Sequence, residues 1–273
     1  MLKPLIIANW KMNPSTFKEA EHLFEAIEKG IKGVKNVEVI ICPPFVWLGE
    51  FCGAGPLGLL KSKAKSLALQ SLKLGAQNCH WEMKGAYTGE VSPLMLKDLG
   101  CEYVIVGHSE RRKYFGESDE IVNGKLKSVL KARLRPVLCV GEETRDGFGL
   151  FSGEEKSVGE ISLVVQKQLE EGLKGIPVGR IKDIAIAYEP LWAIGTGLAC
   201  SPDEALKANL LIKKNLVKLY SRQIAEQTRI IYGGSVTFQN AADYIKEARM
   251  SGLLIGGASL NASEFIRILE QLQ

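Results

Sequence analysis

Residues 184–197 read IAIAYEPLWAIGTG, and this stretch determines the fold class that the rest of the chain must satisfy. Its first five residues form an apolar run, which is typical of a strand buried on both faces in a parallel sheet. Glu189 follows at the carboxyl end of that strand, where α/β barrels carry their functional groups. Pro190 stiffens the next segment and small residues end it, so 190–197 is predicted to be a rigid loop that swings on hinges. Alone, the stretch also fits an ordinary strand followed by a solvated glutamate and a turn.

Similar short apolar runs recur along the chain, and glycine, proline or polar residues bound each of them. They predict strands at 5–8, 37–41, 72–76, 103–106, 136–140, 184–188, 229–232 and 253–255. Helical patterns or crossover-length connections separate the runs, such as the apolar stripe from Phe17 and the helix expected after Ser201-Pro202. This alternation predicts a parallel sheet, and eight units in 273 residues predict one (β/α)8 barrel domain over 1–273. An open, doubly wound sheet is the alternative, because periodicity does not show closure.

Composition restricts the classes of function. Lys plus Arg number 35 against 31 Asp plus Glu, and the net charge of +4 includes no basic run dense enough for nucleic acid. The six cysteines lack CxxC spacing and are too sparse for a disulfide scaffold, so we expect reduced thiols. No apolar run approaches a membrane span, and 5–8 is too short for a signal peptide. We expect a cytoplasmic protein that binds neither nucleic acid nor membrane, whereas small anionic substrates are compatible with its charge.

Residues that could carry chemistry follow the predicted strands. All eight carboxyl ends of a barrel open on one face, so these residues would surround a single mouth. Taken singly, each residue also has an ordinary structural explanation, as a hydrogen-bonded histidine, a solvated lysine or a turn glycine. Their convergence favours a catalytic site. The candidates are Asn9, Lys11, His108, Glu189, Gly195, Ser235, Gly256 and Gly257.

The glycine-rich ends of the last two strands predict an anion site without a metal or nucleotide cofactor. Backbone N–H groups at Gly256 and Gly257, together with Ser235, could bind a phosphate. The three histidines are far apart in sequence and form no HxxxH pattern, so no metal site is predicted. No GxGxxG follows the first strand and no GxxxxGK[ST] occurs, so no nucleotide site is predicted either.

Three side chains at the predicted mouth complement one another chemically. Glu189 supplies a base, His108 a hydrogen-bond donor and Lys11 a fixed cation, which together fit proton abstraction next to a carbonyl. An enediolate that carries a phosphate tends to lose it in water, so the loop at 190–197 is expected to close as a lid.

Seven motifs, in order over nearly the whole chain, resemble the triosephosphate isomerase family. They are NWKMN at 9–13, GAQN at 75–78, GAYTGE at 85–90, GHSERR at 107–112, AYEPLWAIGTG at 187–197, YGGSV at 232–236 and IGGASL at 255–260. The resemblance implies a TIM barrel that interconverts dihydroxyacetone phosphate and D-glyceraldehyde 3-phosphate through an enediolate, without a cofactor. It also implies a role in glycolysis and gluconeogenesis, and a homodimer whose loop at 77–88 enters the partner subunit.

The resemblance also assigns roles to individual residues. Glu189 matches the catalytic base, His108 the neutral electrophile, and Lys11 with Asn9 the pair that contacts the substrate. Glu110 matches the carboxylate beside that lysine. The lid corresponds to 190–197, and the phosphate-binding positions correspond to Gly195, Ser235, Gly256 and Gly257.

The chain departs from the family pattern away from these motifs. Residues 46–71 resist assignment, because glycines interrupt the expected crossover helix, and 51–66 looks roughly eight residues longer than in the family. Leu198 replaces the lysine usual after the lid, and the dimer loop reads CHWEMK at 79–84. Two rival interpretations stay open: another phosphate-binding barrel isomerase or epimerase, and an inactive barrel that binds partners. The first expects other strand-end residues or metal ligands, and the second expects loss of Glu189, His108 or Lys11.

Overall fold

The computed structural model describes residues 3–52, 72–143, 163–193 and 200–273, and in it eight parallel strands close into a barrel. Each strand pairs with the next in chain order, and the last returns to pair with the first. The strands are β1 (Leu5–Asn9), β2 (Glu38–Cys42), β3 (Leu72–Ala76), β4 (Tyr103–Val106), β5 (Arg135–Val140), β6 (Ala185–Tyr188), β7 (Arg229–Tyr232) and β8 (Gly252–Ile255). The predicted (β/α)8 barrel is confirmed, and the open sheet is wrong. Each predicted strand agrees with the structure to within one residue at either end, because a strand buried on both faces is a continuous apolar run.

Helices cover the outside of the barrel. In the described ranges they are α1 (Phe17–Gly30), α2 (Phe45–Phe51), α3 (Pro93–Asp98), α4 (Ser109–Phe115), α5 (Asp119–Lys131), α6 (Leu163–Gly172), α7 (Val178–Ile181), α8 (Pro202–Leu219), α9 (Arg222–Gln227), α10 (Ala241–Lys246) and α11 (Ala262–Gln271). None of these helices is both long and apolar enough to cross a membrane. The helix predicted after Ser201 is confirmed: Ser201 caps it and forms a capping box with Glu204. Several short helices, such as α7, escaped prediction, because four residues cannot show a helical period.

The segment that resisted assignment is only partly described. Residues 45–51 form α2, which includes Gly49, while 53–71 lie outside the described residues. The glycine therefore does not prevent a helix from starting after β2. Five of the six cysteines are buried, and Cys52 is partly exposed.

Two apolar layers follow from the alternation of side chains along each strand. In β1, Leu5 and Ile7 face the interior of the barrel, while Ile6 and Ala8 face the helices. The interior cluster also takes residues from β2, β4, β5, β6, β7 and β8. The strands are therefore held rigidly between two packed layers, and their ends are fixed platforms for polar side chains.

A network of charges closes the barrel at the amino ends of its strands. Glu38 accepts hydrogen bonds from Arg229 (2.6 Å), Lys73 (3.0 Å) and Tyr103 (3.1 Å). We call these four residues the floor cluster. Burial alone would raise the pKa of Glu38, but the hydrogen bonds and positive charges of Arg229 and Lys73 outweigh burial and lower it to about 2. This end of the barrel is thus filled by paired charges, and the opposite end is left for chemistry.

Candidate active site

Every predicted site residue that the structure describes lies at or after the carboxyl end of a strand. Gly195 lies outside the described residues, as does the rest of 194–199. The others follow β1, β4, β6, β7 and β8, and they are Asn9, Lys11, His108, Glu189, Ser235, Gly256 and Gly257. Because these strands belong to one closed parallel barrel, the residues occupy the same mouth.

Glu189 is buried, with 1% of its surface exposed, and its carboxylate is held on one side only. Its Oε2 accepts a hydrogen bond from the backbone N–H of Ser109 at 2.9 Å. Its Oε1 lies 3.1 Å from Nε2 of His108, yet it has no aligned hydrogen-bond partner among the described residues. Gly233 makes room for the side chain, since a Cβ there would lie 3.1 Å from Cγ of Glu189. The carboxylate therefore keeps one oxygen available to accept a proton.

His108 caps the amino end of α4, and this position fixes its tautomer. Its Nδ1 accepts a hydrogen bond from the backbone N–H of Glu110 at 3.3 Å. A ring nitrogen that accepts a hydrogen bond carries no proton, so this contact fits the tautomer with its hydrogen on Nε2. His108 thus presents an N–H donor at the nitrogen that faces Glu189.

Lys11 is held in an unusual backbone conformation beside the end of β8. Its φ is +54°, and its own N–H donates to Oδ1 of Asn9 at 3.0 Å. Gln77 fixes the other side of this residue by donating to its carbonyl at 2.8 Å. The ammonium contacts Oε1 of Glu110 at 2.6 Å, and a Cβ on Gly256 would lie 3.2 Å from Cε of Lys11. The cation is therefore placed between β4 and β8, on the side of the mouth where the glycines lie.

The predicted phosphate-binding residues lie at the ends of β7 and β8. Gly257 begins a short 3₁₀-helix, Gly257–Leu260, and has open space where a side chain would stand. The hydroxyl of Ser235 donates to the carbonyl of Ala193 at 3.3 Å, which connects this side of the mouth to the start of the predicted lid. These positions leave backbone groups and one hydroxyl at the mouth, and Gly256 lies beside the side chain of Lys11.

Glu142 contacts residues on both sides of Glu189, and the sequence analysis did not identify it. Its Oε1 accepts hydrogen bonds from the hydroxyl of Tyr188 (2.6 Å) and from Nε1 of Trp192 (2.9 Å). Burial raises the pKa of this carboxyl, despite the two hydrogen bonds that favour its charge. Glu142 lies two residues after β5, so its position obeys the same strand-end rule as the candidates that were identified.

Ser109 and Gln77 are two further residues that sequence reasoning missed. Ser109 acts through its backbone N–H on Glu189, and Gln77 acts on the carbonyls of Lys11 and Cys42. Gln77 directly follows β3 and Ser109 is the third residue after β4, and this position after a strand was the available signal. In the described ranges no group of three or more His, Cys, Asp or Glu side chains is arranged to hold a metal ion.

A closed (β/α)8 barrel with a carboxylate, an imidazole and an ammonium group at its mouth defines the class of the protein as a barrel enzyme. The sequence model of triosephosphate isomerase matches residues 4–272. The chain belongs to the triosephosphate isomerase family, and it is an isomerase.

Individual relatives match along nearly their full length. The triosephosphate isomerase of Alkaliphilus oremlandii is 44% identical over 269 residues, covering 98% of this chain and 99% of the relative. That of Dictyoglomus thermophilum is 41% identical over 270 residues, covering 99% and 100%. That of Aquifex aeolicus is 42% identical over 268 residues, covering 98% and 99%.

Proposed function

We propose that this isomerase interconverts dihydroxyacetone phosphate and D-glyceraldehyde 3-phosphate through an enediolate. The observation that carries the proposal is the proximity of Glu189 Oε1 and Nε2 of His108, which lie 3.1 Å apart at the mouth. A base and a neutral donor at that spacing can act on adjacent atoms of one small substrate. We treat 1–273 as one catalytic domain, which the family match over 4–272 supports.

In the proposed reaction Glu189 removes a proton from the carbon next to the carbonyl. The electron pair of that C–H bond forms a carbon–carbon double bond, and negative charge develops on the carbonyl oxygen. His108 donates from Nε2 to this oxygen, and Lys11 adds positive charge. The proton of the neighbouring hydroxyl passes to this oxygen by way of Nε2 of His108, the hydroxyl oxygen becomes the new carbonyl, and Glu189 returns its proton to the former carbonyl carbon. One preorganised donor contributes roughly 2.7–4 kcal/mol, and a positioned base roughly 10²- to 10⁴-fold in rate.

We propose that Ser235, Gly256 and Gly257, together with Gly195, bind the phosphate of the substrate. Backbone N–H groups suit a dianion because they supply partial positive charge without a counter-ion that must lose its water. The lid at 190–197 would close over the site and keep water away from the enediolate. The hydrogen bonds of Glu142 to Tyr188 and Trp192 support a fixed hinge at the start of this lid.

We further propose a cytoplasmic homodimer that works in glycolysis and gluconeogenesis. Large apolar side chains are exposed in the segments that follow β1, β2, β3 and β4, neighbouring strands on one side of the barrel. Met12 is 93% exposed and Val46 is 71% exposed. The partly exposed rings of Trp81 and Tyr87 both contact the ring of His80, with centroid distances of 4.0 and 4.3 Å. A second copy of the chain is the occupant that this apolar rim fits best.

The experiment that tests the catalytic proposal is a coupled assay of glyceraldehyde 3-phosphate isomerisation without added metal or cofactor. Wild type is compared with Glu189→Asp, which keeps the charge and withdraws it by one methylene. We expect fast wild-type turnover and a loss of orders of magnitude in the variant, because proton transfer requires sub-ångström placement. A folded wild type without turnover would overturn the proposal.

A further inference from the structure

We propose that Gln168 is a positioning residue for Glu189, which it influences through Gly141; this inference rests on the function proposed above. Gln168 lies on α6 and is buried, with 8% of its surface exposed. Its Oε1 accepts the N–H of Gly141 at 2.9 Å, and its Nε2 donates to the carbonyl of Gly141 at 3.2 Å. The N–H and the carbonyl of one residue belong to two different peptide planes. One carboxamide therefore fixes both planes that flank Gly141.

Gly141 is in direct contact with the backbone of the proposed base. A Cβ on Gly141 would lie 1.8 Å from the carbonyl oxygen of Glu189, so only glycine fits there. The neighbours of Gly141 hold the same segment: the N–H of Glu189 donates to the carbonyl of Val140 at 2.8 Å, and the N–H of Leu191 donates to the carbonyl of Glu142 at 3.0 Å. Rotation of the peptide planes at Gly141 would therefore move the backbone on both sides of Glu189.

The carboxylate of Glu189 is sensitive to such a movement. Its Oε1 is buried without an aligned partner in the described part of the chain, so the position of this oxygen depends on the backbone that carries it. Proton transfer falls by about 10²-fold for a misplacement of about 1 Å. Gln168 bonds to Gly141 and acts on the reaction through it, which makes it a positioning residue.

Asn209 provides a matched control, because it makes the same kind of contact far from the mouth. It is a buried amide on α8, with 1% of its surface exposed. Its Nδ2 donates to the carbonyls of Ala248 (3.0 Å) and Arg249 (2.8 Å), which precede the amino end of β8. Loss of this amide removes two buried hydrogen bonds without affecting the backbone near Glu189.

The test compares Gln168→Met with Asn209→Leu in the full-length enzyme. Both changes keep the approximate size of the side chain and remove its hydrogen bonds, so both should lower Tm. We expect Gln168→Met to lower kcat about 10- to 100-fold with KM changed less than about threefold, and Asn209→Leu to keep the wild-type kcat. A wild-type kcat in Gln168→Met, or an equal loss of kcat in both variants, would overturn the proposal.

Gln168→Glu is a second variant that keeps the proposal testable if Gln168→Met does not fold. It keeps an acceptor for the N–H of Gly141 and loses the donor to the carbonyl, so its kcat should lie between those of wild type and Gln168→Met. A kcat for Gln168→Glu equal to that of wild type would count against the proposal.

Amide hydrogen exchange separates this inference from the proposed reaction. The N–H groups of Glu189 and Leu191 should exchange faster in both Gln168 variants than in wild type, and at the wild-type rate in Asn209→Leu. This measurement needs no substrate. If wild type fails to isomerise triose phosphate, the proposed function fails, while unchanged exchange in the Gln168 variants would independently reject the positioning role.

Discussion

The two ends of this barrel are built from the same strands, yet each end holds its buried carboxylate in a different way. At the floor, both oxygens of Glu38 are paired, with Arg229 on one and with Lys73 and Tyr103 on the other. At the mouth, Oε1 of Glu189 is buried and lacks an aligned partner within the described residues. A buried polar atom left unpaired costs about 1–3 kcal/mol, so the mouth gives up stability that the floor retains. The two ends therefore differ in how they hold a buried carboxylate: the floor pairs both oxygens, and the mouth leaves one oxygen without an aligned partner among the described residues.

The largest expected effect is the loss of activity in Glu189→Gln. Removing the base should lower kcat by about 10²- to 10⁴-fold. Tm should stay the same or rise, because the variant replaces a buried charge with a neutral amide. Measuring kcat and Tm of the same preparation checks both statements. A large fall in Tm would show that Glu189 stabilises the fold as Glu38 does, and the contrast between the two ends would be wrong.

His108→Gln tests the proposed role of Nε2 of His108 as the hydrogen-bond donor at the mouth. A glutamine can still accept the N–H of Glu110, but its own N–H cannot occupy the place of Nε2. We expect kcat to fall about 10²- to 10³-fold, with a smaller effect on KM, because the donor acts on charge that develops in the transition state. His22→Gln on α1 is the matched control and should keep full activity. Equal losses in both variants would point to a general effect of removing histidine.

Most of the fold could be predicted from the sequence because its signal is local. The strand Tyr103–Val106 is a continuous apolar run that lies between Glu102 and Gly107, and its bounds were predicted without error. The ends of such strands also located Lys11, His108 and Glu189, since a closed parallel barrel brings all carboxyl ends to one face. Local pattern and chain order were sufficient for this part of the site.

The remaining features depend on contacts between residues distant in sequence. Gln168 reads as an ordinary residue of an amphipathic helix, and its role depends on Gly141, 27 positions earlier. Glu38 meets Arg229 across 191 positions. The hydrogen bond that Nδ1 of His108 accepts comes from a backbone N–H that only the turn into α4 places. Periodicity predicts which face of an element is buried, but it does not predict which polar group the buried face meets.

Glu38→Gln tests whether the paired carboxylate at the floor stabilises the fold without affecting the reaction. The neutral amide weakens the hydrogen bonds to Arg229 and Lys73, and hydrogen bonds to charged groups contribute about 1.5–3 kcal/mol each. We expect a loss of about 3 kcal/mol in the free energy of unfolding, measured in urea, with kcat unchanged. Glu102→Gln is the control: it also contacts Lys73, at 2.7 Å, but its side chain is 43% exposed. The control should cost less than about 1 kcal/mol. A fall in kcat for Glu38→Gln would mean that the two ends are coupled.

The smallest expected effect, and the sharpest comparison, is the pH dependence of stability. The folded-state pKa of Glu38 is lowered from 4.5 to about 2, so its contribution is complete above pH 4.5 and is lost as pH falls towards 2. Burial raises the pKa of Glu142 above 4.5, so folding favours its protonated form, and its effect on stability becomes unfavourable as pH rises above 4.5. Each slope is at most about 1.4 kcal/mol per pH unit, the value for one proton.

Urea unfolding between pH 2 and 7 separates these two carboxyls. Glu38→Gln should flatten the loss of stability below pH 4.5, and Glu142→Gln should raise stability relative to wild type above that pH while leaving the acid limb unchanged. The opposite signs follow from one physical difference: cations surround Glu38, whereas Glu142 is buried against the neutral donors Tyr188 and Trp192. If both variants changed the same limb in the same direction, the floor and the mouth would not differ in how they hold charge.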